Sequence, residues 1–193
     1  LGVVGAGTMG AGIAALAASA GIPVHLLDIP ADGDDRDAIV RGGLERTAKA
    51  KPAAFMSKPA MGLITIGNTA DHLDRLAECD WVIEAIVERL DAKRDLYARL
   101  EDVLRPDAVV SSNTSSIRMA LLLDGRSDGF RRRFLGTHFF NPPRYLHLLE
   151  LIPTPDTDPA VLAFVREVGE RVFGKGVVLA RDEPGFIGNR VGV

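Results

Sequence analysis

The sequence predicts an α/β fold in which a doubly wound, mostly parallel sheet carries helices on both faces. Short apolar runs alternate with longer stretches of helical length and charge distribution, which is the order that βαβ units produce. The apolar runs show little alternation of polar and apolar residues, as expected of strands buried on both sides. The 193 residues suffice for one large domain or a domain and a half.

The elements follow from these patterns in chain order. We predict strands at Leu1–Val4, Val24–Leu27, Leu63–Ile66, Trp81–Ile83, Ala108–Ser111, Phe134–Thr137 and Tyr145–Ile152. We predict helices at Met9–Ala20, Asp35–Lys51, Arg89–Leu104 and Pro159–Phe173. Asp158 is a favourable N-cap for the last helix, because a proline follows at the first helical position. The stretch Lys51–Gly62 is predicted to be a loop or a helical hairpin that projects from the sheet.

Composition argues against several classes of protein. A net charge of −3 and a pI of about 5.8 do not favour a nucleic-acid partner. No apolar run approaches the roughly 18 residues that cross a bilayer, so we expect no membrane span. The expected location is cytoplasmic. Cys79 is the only cysteine, which excludes an internal disulfide and fits a reducing compartment. No metal site is expected, since no cysteines, histidines and carboxylates have zinc-like spacing.

A glycine motif, Gly5-Ala6-Gly7-Thr8-Met9-Gly10, follows the first predicted strand and opens the first predicted helix. Gly5 permits a tight turn, Gly7 leaves room for a pyrophosphate, and Gly10 lets helix and strand pack closely. The helix N-terminus would present unpaired N–H groups to the phosphates. The motif favours a Rossmann-type dinucleotide site that includes Gly5, Gly7, Thr8, Met9 and Gly10. The alternative is an ordinary glycine turn in another nucleotide-binding fold.

Asp28 ends the second predicted strand, where an acid is expected to bind the adenine-ribose hydroxyls. The residues that follow it, Ile29 and Pro30, include no arginine for a 2′-phosphate. The sequence therefore predicts NAD as the cofactor in preference to NADP.

Two polar features follow later strands. The hydroxyl-rich run Ser111–Ser116 lies just beyond a strand, and on sequence alone we favour an N-cap for the next helix. His138 and Glu150 lie equally far from position 144, so they face one another if their strands run antiparallel. A glutamate beside an imidazole fixes its tautomer and stabilises the imidazolium. Spacing alone favours the plainer interpretation of two unrelated, partly buried residues.

Several motifs together resemble those of the 3-hydroxyacyl-CoA dehydrogenases, in that family's order and spacing across nearly the whole chain. They are Gly5–Gly12, Ser112–Ser116, Thr137–Pro142, Leu149-Glu150 and Pro184–Arg190. Arg144-Tyr145, after the double proline, is similar to the bacterial multifunctional form, which joins this domain to an enoyl-CoA hydratase. Gly188 departs from the pattern, because a bulkier apolar residue is usual at that position.

The resemblance implies NAD-dependent oxidation of (S)-3-hydroxyacyl-CoA to 3-oxoacyl-CoA in fatty-acid β-oxidation. It makes His138 the general base, oriented by Glu150, and it assigns Ser115 and Asn189 to the substrate oxygen. It further implies cofactor contacts on the nicotinamide and ribose side from Glu88, Lys93, Ser115 and Asn141. The alternative for Glu88 and Lys93 is an acid and a base on a helix surface. Lys49, Lys51 and Lys58 are candidates for the CoA phosphates, since an anionic head group attracts cations.

The ends of the sequence suggest trimming, since it opens inside a strand and closes on a helix start. We expect an NAD-binding domain over residues 1–182 and, over 183–193, the start of a C-terminal helical domain that is otherwise missing. In the resembled family that domain closes over the acyl group and forms a homodimer. We therefore expect this chain to bind NAD and to turn over acyl-CoA poorly alone. The full-length protein is expected to be a homodimer.

Two other functions stay open at this point. One is a dehydrogenase of a small free hydroxy acid, although such enzymes use a lysine where this chain has His138 and Glu150. The other is a non-catalytic dinucleotide-binding scaffold, which the intact set of Ser115, His138, Glu150 and Asn189 disfavours.

Overall fold

A computed structural model describes residues 1–191 and contains one eight-stranded sheet. The strands are β1 (Gly2–Val4), β2 (Val24–Asp28), β3 (Ile64–Asn68), β4 (Trp81–Glu84), β5 (Val109–Ser112), β6 (Phe134–Phe139), β7 (Leu148–Pro153) and β8 (Gly176–Leu179). Their order in the sheet is β3-β2-β1-β4-β5-β6-β7-β8. All neighbours are parallel except β6 and β7, which are antiparallel. The predicted fold class is confirmed.

Helices cover both faces of this sheet. They are α1 (Thr8–Ser19), α2 (Ala38–Ala48), α3 (Leu90–Val103), α4 (Met119–Leu122), α5 (Asp128–Arg132), α6 (Pro159–Glu167) and α7 (Gly188–Val191). Short 3₁₀ turns span Lys58–Leu63 and Leu73–Glu78, and a π-helical turn over Val168–Val172 continues α6.

Neighbouring residues of the central strands belong to two separate apolar cores. Val3 packs with Ile13 of α1 on one face, whereas Val4 packs with Leu100 of α3 on the other. Successive side chains of a strand point to opposite faces of the sheet. Strands made of consecutive apolar residues must therefore be covered by helices on both faces. The unalternated runs in the sequence are the cause of the doubly wound architecture.

The structure differs from the predicted elements at several places. The short helices α4 and α5 were not predicted, and β7 begins at Leu148 and not at Tyr145. Gly176–Leu179 forms β8, which was not predicted: it is a four-residue strand at the sheet edge with its last two side chains exposed. The stretch Lys51–Gly62 contains no helical hairpin and lies against the domain. Its Met56 N–H donates to Ser19 Oγ at 3.0 Å, and Arg144 donates to the carbonyls of Ala53 and Phe55 at 2.8 Å each.

Within residues 1–191, no helix combines the length and apolar character that a bilayer crossing requires. The same described part of the chain contains no group of three or more histidine, cysteine or acidic side chains arranged to hold a metal ion.

Candidate active site

The carboxyl ends of the parallel strands open onto a cleft of about 920 Å³. This is the edge at which doubly wound sheets bind ligands. Most of the residues singled out in the sequence form its wall, namely Gly5, Gly7, Thr8, Met9, Asp28, Glu88, Ser115, His138, Asn141 and Asn189. Gly10, Lys93 and Glu150 are buried behind the wall. One cleft therefore brings the glycine motif and the His138 motif together.

The glycine motif forms the turn from β1 into α1. Gly5 has a φ of 105°, and a Cβ added there would lie 2.4 Å from the Ala85 carbonyl oxygen. A Cβ at Gly10 would lie 1.8 Å from the Gly5 oxygen, so helix and strand approach too closely for any side chain. Gly7 instead borders open space at the N-terminus of α1. The free N–H groups in the first turn of α1 are thus accessible to an anionic ligand that enters the cleft.

Asp28 joins the end of β2 to the glycine loop. Its Oδ2 accepts a hydrogen bond from the Ala6 N–H at 2.6 Å, and its Oδ1 accepts one from the Ile29 N–H at 2.7 Å. A carboxylate has further lone pairs for ligand hydroxyls. The two main-chain donors hold this carboxylate still at the cleft wall.

His138 and Glu150 lie directly opposite each other on the antiparallel strands β6 and β7. His138 Nδ1 is 2.6 Å from Glu150 Oε2, and the two residues are 6% and 0% exposed. The structure therefore forms the pair that the symmetrical spacing about position 144 allows, and the interpretation favoured on spacing alone, two unrelated residues, was wrong. Since Nδ1 is engaged by the carboxylate, Nε2 is the ring nitrogen left for a ligand in the cleft.

Further contacts hold this pair in place. Glu150 Oε1 accepts hydrogen bonds from the N–H groups of Ile187 and Gly188, both at 2.8 Å. The rings of Phe140 and Phe186 pack on the imidazole, with centroid distances of 4.5 and 5.6 Å. The carboxylate is fixed at both oxygens, and apolar rings limit rotation of the imidazole.

Glu88 organises the loop that carries Ser115. Its Oε1 accepts hydrogen bonds from Thr114 Oγ1, from the Ser115 N–H at 3.0 Å and from both donors of Ser116 at 3.0 and 3.2 Å. Burial opposes ionisation of Glu88, but these donors and the nearby Lys93 outweigh it, so the pKa of Glu88 is lowered. Asn189 Nδ2 reaches the Ser115 carbonyl at 3.4 Å. The two predicted substrate-oxygen ligands are thus neighbours.

Lys93 differs from both sequence-based expectations, direct cofactor contact and a place on the helix surface. Its side chain is 1% exposed, and its Nζ lies 2.5 Å from Glu84 Oε1 and 3.2 Å from Glu88 Oε2. Because a buried ammonium requires a countercharge, the lysine points inward to the two carboxylates. Lys93 therefore supports Glu88 from behind the cleft wall.

Glu84 is a buried residue that the sequence analysis missed. Besides Lys93, its carboxylate accepts hydrogen bonds from Tyr97 Oη at 2.5 Å, Ser112 Oγ at 2.7 Å and the Ile86 N–H at 2.9 Å. Burial, followed by the charge of Glu84, raises the pKa of Tyr97 well above its usual value. The only signal in the sequence was an acid at the end of a buried strand.

The Ser111–Ser116 run is not an N-cap, so that interpretation was wrong. The first N–H groups of α4, from Met119 and Ala120, donate to the carboxylate of Asp182 at 2.7 and 3.1 Å. Within the run, Asn113 Oδ1 accepts the Phe139 N–H at 2.9 Å, which ties this loop to β6 beside His138. Two of its residues, Asn113 and Ser115, line the cleft, whereas Ser111, Ser112 and Thr114 are buried.

Lys49, Lys51 and Lys58, the candidates for CoA phosphates, are exposed and lie outside the cleft wall. None of their contacts identifies them as ligands of the CoA phosphates.

Gly188 occupies a position where the space for a side chain is already filled. A Cβ there would lie 2.4 Å from Phe140 Cζ, in the ring that packs on His138. We expect Gly188→Ala to lower the free energy of unfolding by about 1–3 kcal/mol, because the ring must move from a packed site. Denaturant unfolding measures this loss.

Two comparison variants test the cause of that loss. Gly62→Ala is the matched control, since nothing lies within 4 Å of a Cβ at Gly62. In a Phe140→Ala background the alanine at 188 should cost much less, and an equal cost in both backgrounds would exclude the ring as the cause.

Comparison with known proteins identifies the family to which this chain is similar. A family model described as "3-hydroxyacyl-CoA dehydrogenase, NAD binding domain" matches residues 1–183. The chain is 56% identical over 192 residues to a protein of Deinococcus radiodurans named "Probable 3-hydroxyacyl-CoA dehydrogenase", covering 99% of this chain and 56% of that protein. It is 44% identical over 191 residues to the "Putative fatty acid oxidation complex trifunctional enzyme" of Rickettsia felis, covering 98% of this chain and 26% of that protein.

Solved structures agree in fold. The crystal structure of Mycobacterium tuberculosis FadB2 matches with a TM-score of 0.85 and 38% identity, over 98% of this chain and 66% of that one. The structure of 3-hydroxybutyryl-CoA dehydrogenase from Escherichia coli matches with a TM-score of 0.82 and 32% identity, over 98% of this chain and 39% of that one. The chain thus spans about half of the Deinococcus protein and about a quarter of the Rickettsia protein.

Proposed function

This chain belongs to the 3-hydroxyacyl-CoA dehydrogenase family through its NAD-binding domain, and we propose that the whole protein oxidises (S)-3-hydroxyacyl-CoA to 3-oxoacyl-CoA. The observation that carries the proposal is the His138–Glu150 pair on the cleft that the glycine loop also lines. The name of the trifunctional relative supports a place in fatty-acid β-oxidation.

His138 is the proposed proton acceptor. With Nδ1 on Glu150, its Nε2 takes the proton of the 3-hydroxyl, and in the reverse direction it returns that proton to the 3-oxo oxygen. NAD, when bound, supplies the acceptor for the hydride that leaves C3. The negative charge of Glu150 stabilises the imidazolium that forms.

The remaining cleft residues position the substrate and the cofactor. Ser115 and Asn189 are proposed to hydrogen-bond the substrate oxygen, which their proximity supports. Asn141 and Glu88, both on the cleft wall, are proposed cofactor contacts. Lys93 acts through Glu88. The rings of Phe140 and Phe186 beside the imidazole help to exclude water from the proton transfer.

We expect this chain to bind NADH at least tenfold more tightly than NADPH, because the Asp28 carboxylate repels a 2′-phosphate. Fluorescence titration of the 193-residue chain measures both affinities and needs no turnover. Equal affinities would contradict the assigned role of Asp28. Failure to bind either nucleotide would contradict the whole cofactor site.

Adding acetoacetyl-CoA to the NADH complex of the whole protein tests the reaction itself. We expect the absorbance of the reduced nicotinamide to fall as 3-hydroxybutyryl-CoA forms. NADH that binds but is never oxidised by any 3-oxoacyl-CoA would contradict the proposed reaction.

The proposal also covers the organisation of the whole protein. Residues 1–182 are proposed as the NAD-binding domain and 183–193 as the start of a C-terminal helical domain, of which residues 192 and 193 lie outside the described part. The motif resemblance supports a cytoplasmic homodimer that acts on acyl-CoA. The docking of Ile187 and Gly188 on Glu150 supports a catalytic contribution from the second segment.

A further inference from the structure

Arg99, on α3, places a cation on the cleft wall that the proposed mechanism does not use. It shares the wall with Asp28, Ile29 and Thr69. Its Nη2 donates to the Thr69 carbonyl, and the Thr69 N–H donates to the Asp28 carbonyl at 2.8 Å. Thr69 thus links Asp28 to Arg99, although the two are far apart in sequence.

The guanidinium has capacity for an anionic ligand. It carries five N–H donors, and the Thr69 carbonyl occupies one of its nitrogens. Among residues 1–191, no carboxylate lies within 4 Å of it. The acids that share its cleft wall are Asp28, Glu88 and Asp95. Arg94, on the same helix, is by contrast paired with Asp124 at 3.1 Å.

We propose that Arg99 borders the adenosine part of the cofactor site, so that the choice between NAD and NADP is a balance between two side chains. In sites of this type an acid at the end of the second strand binds the ribose 2′-hydroxyl, whereas an arginine accommodates a 2′-phosphate. This chain holds both groups on one wall. The Asp28 carboxylate repels a 2′-phosphate and Arg99 attracts it, so Arg99 holds the phosphate more strongly once the Asp28 charge is removed.

The test is a double-mutant cycle read by NADPH and NADH titration. Asp28→Asn removes the charge but keeps the side-chain shape and an oxygen for the Ala6 N–H. We expect it to bind NADPH about tenfold more tightly than the unmodified chain, with a much smaller change for NADH. Asp28→Asn/Arg99→Met should lose that gain. Arg94→Met, on the same helix and with the same change of charge, should leave both affinities unchanged.

Two outcomes of the cycle would overturn the proposal: a gain for NADPH that persists without Arg99, or no gain in an Asp28→Asn variant that still binds NADH. If Asp28→Asn does not fold, Arg99→Met alone decides, because it should widen the ratio of NADPH to NADH dissociation constants several-fold. An unchanged ratio would overturn the assignment.

The proposal rests on the proposed cofactor site and is independent of the proposed base. A chain that binds both nucleotides as described but never oxidises NADH would contradict the reaction and leave the role of Arg99 intact.

Discussion

Replacing His138 with glutamine is expected to lower the turnover of the whole protein by roughly 10²–10⁴-fold and to leave NADH affinity nearly unchanged. A glutamine can still donate to Glu150, so the buried carboxylate keeps a partner and the fold is preserved. What is lost is a group that accepts and returns a proton. Steady-state rates with acetoacetyl-CoA and NADH, together with an NADH titration, measure the two effects separately.

His147→Gln is the matched control, since it makes the same change at an exposed histidine outside the cleft wall. Its turnover should equal that of the unmodified protein. An undiminished rate in His138→Gln would remove the proposed base. A parallel loss of NADH affinity would instead indicate that the substitution has disturbed the cleft.

Replacing Lys93 with methionine is expected to lower the free energy of unfolding by about 3–5 kcal/mol. The side chain is buried between Glu84 and Glu88, and its removal leaves the Glu84 charge without its cation. The hydrogen bonds from Tyr97 and Ser112 to Glu84 remain, which places the loss toward the lower end of this range. Denaturant unfolding at neutral pH measures it.

Glu84→Gln/Lys93→Met separates the charge from the packing. The double variant has no buried unpaired charge, and the amide oxygen of the new glutamine can still accept from Tyr97, so we expect most of the lost stability to return. Lys58→Met, at an exposed lysine, should change stability by no more than about 0.5 kcal/mol. If the double variant is no more stable than Lys93→Met, the loss comes from packing and the ion pair is not its cause.

The sequence predicted the parts of the site that depend on local patterns. The glycine turn follows from a short motif between a strand and a helix. The symmetry of His138 and Glu150 about position 144 allowed their register, and the motif resemblance was needed to choose it. Both depend on neighbours in sequence, because a hairpin pairs residues by their distance from the turn.

Most of the missed features depend on contacts between residues far apart in the chain. Arg99 meets the cofactor cleft because its side chain reaches the Thr69 carbonyl just beyond β3, so the residues just after Asp28 gave no sign of it. Asp182 caps α4 from 63 residues away, which made the hydroxyl-rich run before α4 look like the cap. β8 was missed because a four-residue, half-exposed edge strand has almost no periodicity to detect.

Glu150 forms its contacts over very different lengths of chain. Its bond to His138 joins residues 12 apart, whereas its bonds to Ile187 and Gly188 join residues 37 and 38 apart. The entropic cost of closing a loop rises with its length, so we expect the β6–β7 hairpin to form first and the segment around Ile187 to dock last. The glycine turn can therefore form before Glu150 has gained its bonds to Ile187 and Gly188. In that order the cleft takes shape before the His138–Glu150 pair is held at both carboxylate oxygens.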